Sequence, residues 1–213
     1  ATLAAPALNL TWDFANQLSG VDTNGTPASQ EVTFRYDVLG RRVGRVEGAS
    51  SIVFVQAGQQ TIADYDAGQV PSKPNHIYVY GSYIDEPIAR RESANIAYFH
   101  RNQQYSIVAL SNSAGAVVER YSYTAHGQLS IYNAAGTVLS ASAFDNRFTY
   151  TGREWDAALA LHYFRARWYD PLVGSFNAMD PAWGAATKPV TFHKYLYANG
   201  NPILYVDPDG RAG

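Results

Sequence analysis

Between residues 150 and 210, aromatic and polar positions alternate, and Gly and Asp-Pro steps cut the runs. The same pattern appears earlier: Val32, Phe34 and Tyr36 alternate with polar neighbours. SIVFVQ (51–56) and HIYVYG (76–81) are short and rich in β-branched and aromatic residues. Period-two alternation with turn punctuation predicts half-buried antiparallel strands. Ser113-Ala114-Gly115 separates IVALSN from AVVERYSY, and Ala134-Ala135-Gly136 separates LSIYN from TVLSAS, as hairpin turns would. No helix longer than about two turns is expected. Residues 156–161 and 181–187 are the best short helical candidates. No Gly/Ser-rich or Pro-rich linker and no charge run marks a boundary, so one continuous β architecture is the simplest reading.

The hairpins repeat. RYDVLGRRVGRV (35–46) has the form aromatic, Asp, two spacers, Gly, Arg, apolar. TWDFANQLSGV (11–21) repeats it with Trp12, Asp13 and Asn16. RYSYTAHGQLSIY (120–132) repeats it with Thr124 in place of the Asp. Asp starts such a turn by accepting from backbone amides two or more residues on, and Gly or Asn closes it in the left-handed conformation.

Composition narrows the function classes. At 213 residues the chain buries a real core. Its net charge of −2, with 16% charged residues, argues against nucleic acid or an anionic membrane as partner. Tyr alone supplies 16 residues, which suits sheet faces with one dry and one wet side. With no Cys there is no disulfide framework and no thiolate metal site. No apolar run reaches the roughly 18 residues of a membrane span. The start, ATLAAPALNL, lacks a basic region and an initiator Met, so it is a poor signal peptide and reads as cut from something longer.

The histidines lack metal-ligand spacing and no GxSxG elbow occurs, so no metal and no serine nucleophile are expected. GRRVGR (40–45) lacks the strand–loop–helix context of a phosphate loop and reads as a hairpin with an outward basic edge. Arg153 and Arg165 are expected to pair with acids or stack on rings. Asp-Pro steps at Asp170, Asp180 and Asp207 are turn signals first, because Pro fixes φ and Asp caps the bend. Acids beside arginines in so aromatic a setting also suit chemistry.

RYDVLGRR resembles the YD repeat of bacterial RHS proteins, relatives of the teneurins. YTGREWD, HYFRARWYDPLVGSF, MDP and NPILYVDPDG, in that order, resemble the RHS repeat-associated core domain, as does YFHRNQQYSIVALSNSAGAVVERYSY. The resemblance implies a mostly β fold: a spiralling ribbon of antiparallel hairpins, with short helical turns in the C-terminal core. It implies YD hairpins over residues 1–97 and the core domain over 98–213. It implies a shell enclosing a C-terminal toxic segment, with the remainder of the shell and that segment as partners. Secretion-system or immunity partners, and a bacterial protein secreted or at the cell surface after a cytoplasmic stage, follow from the same likeness.

The resemblance further implies an intramolecular aspartic protease without cofactor. Asp180 and Asp207 would be the acid–base pair, and Arg167 the charge balance. Two acids sharing a site move apart in protonation, which is what peptide hydrolysis by carboxylates needs. The cut would follow the residue after Gly210, at Arg211–Ala212. The family places an apolar residue where this chain has Arg211. Asp170 and Arg165 are possible supporting residues. The competing reading is a non-enzymatic β-ribbon that binds carbohydrate or a protein at a cell surface, through Trp155 or Trp183.

Overall fold

A computed structural model describes residues 8–25 and 30–211. Most of the apolar start, and Ala212 of the expected cut, lie outside the described residues. The strands are β1 (Asn9–Trp12), β2 (Leu18–Asp22), β3 (Val32–Tyr36), β4 (Arg42–Glu47), β5 (Ser50–Ala57), β6 (Gln60–Asp66), β7 (His76–Tyr80) and β8 (Pro87–Glu92). They continue as β9 (Asn95–Arg101), β10 (Ile107–Asn112), β11 (Val117–Tyr123), β12 (Leu129–Asn133) and β13 (Val138–Leu139). All thirteen pair antiparallel in sequence order as one open sheet. A second sheet follows, made of β14 (Glu154–Asp156), β15 (Leu161–Phe164), β16 (Arg167–Asp170) and β17 (Ser175–Phe176). The fold is therefore mostly β, a ribbon of hairpins with three short 3-10 turns in its last third.

Among the described residues, six hairpins share one turn. Asp13, Asp37, Asn102, Asn112, Thr124 and Asn133 each accept, through the main-chain oxygen, the amide three residues on, at 2.9–3.1 Å. That third residue has positive φ in every case: Asn16, Gly40, Tyr105, Gly115, Gly127 and Gly136. The first side chain also accepts the amide four residues on, at 2.8–3.1 Å. This is the three-residue hairpin loop, a type I turn closed by a left-handed residue that bulges one strand.

The two sheets pack face to face at one end. Leu18, Val21, Val32 and Phe34 of the large sheet meet Leu159, Leu161, Tyr163 and Trp168. Ion pairs run through the same contact: Arg42 with Glu154, Arg45 with Asp156 at 2.6 Å, and Arg147 with Glu154 at 3.1 Å and with Asp64. GRRVGR therefore does not present an outward basic edge. Arg42 is 4% exposed and lies over the rings of Phe54 and Tyr163 at 4.6 and 4.3 Å, because Glu154 supplies a counter-charge on the inner face.

The two helical candidates are corrected as well. Asp156 pairs with Leu161 across the β14–β15 hairpin, whose turn closes on Ala160 at φ +54°; Ala residues there favour a helix less than burial of Leu159 and Leu161 favours the hairpin. Residues 181–187 form bends and a turn bridged by Ala185 and Lys188, without a helix, and the short 3-10 turn comes next, at Pro189–Phe192, where Pro pre-sets φ.

Candidate active site

The β15–β16 hairpin carries Arg165 in its turn, at φ +62°, and Arg167 as the first residue of β16. The terminal DPDG turn lies directly on this hairpin. Ala166 N donates to Asp209 O at 3.3 Å, and a Cβ on Gly210 (φ +71°) would sit 2.2 Å from Phe164 O. Only Gly lets the two main chains approach this closely.

Arg167 is 1% exposed and lies over the Phe176 ring, 3.6 Å from its centroid. Its three nitrogens do separate jobs. Nε donates to Gly210 O. Nη1 donates to Lys194 O at 3.0 Å. Nη2 meets Asp180 Oδ2 at 3.0 Å and Asp207 Oδ2 at 3.2 Å. Both acids therefore share one nitrogen, and their Oδ2 atoms are no more than about 6 Å apart. Burial pulls the Arg167 guanidinium below its ordinary value, and Asp180 and Asp207 offset the pull.

The acids differ in setting. Asp207 is sealed in, and its Oδ1 accepts from Gly210 N at 2.9 Å and Arg211 N at 3.2 Å. Asp180 keeps 12% of its side chain exposed; its Oδ1 accepts from Ala182 N at 2.8 Å, and its own amide donates to Lys194 O at 2.9 Å. The three ordered positions thus come together, and Gly210 and Arg211 of the expected cut are hydrogen-bonded to them. Asp170 instead caps its own turn, accepting from Leu172 N at 2.8 Å and Val173 N at 3.3 Å. Arg165 reaches the terminal turn and donates to Pro208 O. Among the described residues, no group of three or more His, Asp or Glu converges as metal ligands do.

Asp85, absent from any motif, is the residue that sequence reasoning missed. It is 3% exposed and binds Arg153 Nη2 through Oδ2 at 2.5 Å and Arg165 Nη2 through Oδ1 at 2.7 Å. Burial pushes its carboxyl upward, and Arg165 pulls against that. Arg153 also donates to Pro208 O and lies 5.1 Å from the Phe164 ring. The signal in the sequence was only an acid two residues before Pro87, outside every motif. Beside the site, a cavity of about 370 Å³ is walled by residues including Arg42, Arg153, Arg165, Glu154, Asp209 and Arg211. Trp155 packs on His162 at 4.7 Å, and Trp183 is 96% exposed.

A meander of YD-type hairpins closed by a small sheet that carries this ionic cluster defines a repeat-built β shell. The chain belongs to the teneurin YD-shell family, whose model matches residues 10–203. It is 29% identical over 200 residues to the tRNA3(Ser)-specific nuclease WapA of Bacillus spizizenii, a match covering 94% of this chain and 8% of that protein. It is 28% identical over 233 residues to the double-stranded DNA deaminase toxin A of Burkholderia cenocepacia, covering 95% of this chain and 15% of that protein. The crystal structure of TcdB2-TccC3 matches with a TM-score of 0.71 at 19% identity, over 95% of this chain and 10% of that one, and shows likeness of fold alone. The chain thus spans only 8% and 15% of the length of these two relatives.

Proposed function

We propose that this segment of an RHS-type toxin shell helps to enclose a C-terminal toxic segment and frees it by cutting its own chain at Arg211–Ala212. The relatives named as nuclease and deaminase toxins support a role in a toxin's shell. The observation that carries the cleavage is the meeting of Asp180 and Asp207 on one nitrogen of Arg167, which also holds the Gly210 carbonyl. Asp180, the more exposed acid, takes a proton from a water that adds to the Arg211 carbonyl carbon. As the C–N bond breaks, the proton passes to the Ala212 nitrogen, which leaves a carboxyl terminus and a free amine. Asp207 and Arg167 hold the turn and balance the charge that develops. Export by a secretion system, with the rest of the shell and the toxic segment as partners, belongs to the same reading.

The test is expression with a C-terminal extension and mass spectrometry of the tail. The parent chain should release it after Arg211, and Asp180→Asn or Asp207→Asn should each slow release by at least about 100-fold. Release that persists in both variants removes the catalytic assignment.

A further inference from the structure

We propose that Asp85, carried by the loop between β7 and β8 of the large sheet, is a positioning residue for the terminal DPDG turn, so that the turn is set for cleavage only once that sheet has folded. The inference rests on the reading above that the chain is cut beside this turn. Two guanidiniums, Arg153 and Arg165, both donate to the single carbonyl of Pro208. Two cations converging on one neutral acceptor repel each other unless an anion stands behind them. Asp85 is that anion, with one oxygen for each guanidinium.

The loop is built to hold it. Gly81 N donates to Glu86 O at 2.8 Å and Tyr83 N to Glu86 Oε2 at 3.1 Å. Gln60 Nε2 donates to Ile84 O at 3.1 Å, and Tyr83 stacks on Tyr105 at 4.3 Å. Gly152, at φ +71°, gives the segment before β14 access to this loop, since a Cβ there would stand 2.1 Å from Asp85 O. Arg153 follows at once and points into the cluster. The position of Pro208 is thereby tied to a loop more than a hundred residues upstream. Arg167 holds Asp207 and Gly210, and Ala166 N holds Asp209 O, but the Pro208 carbonyl itself is bound by Arg153 and Arg165.

The experiment uses the whole chain with a C-terminal extension and compares Asp85→Asn and Asp85→Glu with the parent. Tail release is read by mass spectrometry, and hydrogen exchange at the Gly210 and Arg211 amides by NMR. Asp85→Asn should slow release by about 100-fold and expose both amides, with Asp85→Glu recovering part of each. If Asp85→Asn does not fold, Arg165→Gln, at a more exposed position, should give the same two losses. Unchanged release together with unchanged amide protection overturns the proposal. If the parent chain itself releases nothing, the cleavage reading has failed, and the amide protection alone then decides whether Asp85 positions the turn.

Discussion

Arg167 meets two acids and two carbonyls with three different nitrogens, which a lysine with one nitrogen cannot copy. Arg167→Lys should therefore stop tail release although the charge is kept. It should also lower unfolding free energy by about 3–5 kcal/mol in urea titration, the usual cost of breaking a buried pair. Gly210→Ala places a methyl against Phe164 O and should lose release in the same way. His162 offers a pH test. It is buried among aromatic rings, and its ring pairs with Gly127 O at 3.0 Å. Burial lowers its pKa from 6.5 to about 4, against the pull of Gly127 O. Between those values His162 binds its proton in the unfolded chain but not in the folded one, so its own contribution to stability rises with pH across the window, opposite in sign to that of Asp85, whose carboxyl burial pushes upward. Acidification from about pH 6.5 to 4 should therefore cost the parent chain up to about 3 kcal/mol more in urea titrations than it costs His162→Gln.

At the scale of elements, the turn is the repeated unit. In five of the six turns two amides find one side-chain oxygen, as Ala135 N and Thr137 N find Asn133 Oδ1 at 3.0 and 2.9 Å. Asn133→Ala should cost about 1 kcal/mol by thermal melting, since its site is exposed and water replaces the lost bonds. Five of these turns were legible in the sequence, through Asp-x-x-Gly and its variants or a small-residue step ending in Gly. The sixth, at Asn102, was not, because Tyr105 takes the left-handed position that Gly or Asn usually marks. The DPDG turn is a variant of this scheme, with Gly210 left-handed three residues after Asp207 and both Gly210 N and Arg211 N on Oδ1. Its second oxygen turns to Arg167. A shared local turn thereby becomes a candidate site through one long-range partner.

For the whole molecule, docking of the small sheet on the large one matters most. Glu154 serves two buried cations, Arg42 and Arg147, in that contact. Glu154→Gln should destabilise the chain by about 3 kcal/mol in urea titration, because Arg42 loses its anion in a dry interface and Arg147 is left with Asp64 alone. The residue order by itself determined the strands, most turns and the RHS-like motifs, since each depends on side chains within a few positions of one another. Only the tertiary structure decided which charges meet. Arg42 joins Glu154 across 112 positions, and Asp85 joins Arg153 across 68. Period-two alternation marks two faces of a strand but not which face another sheet will cover, so it read Arg42 as outward and passed over Asp85. Ion pairing across folded sheets depends on that choice.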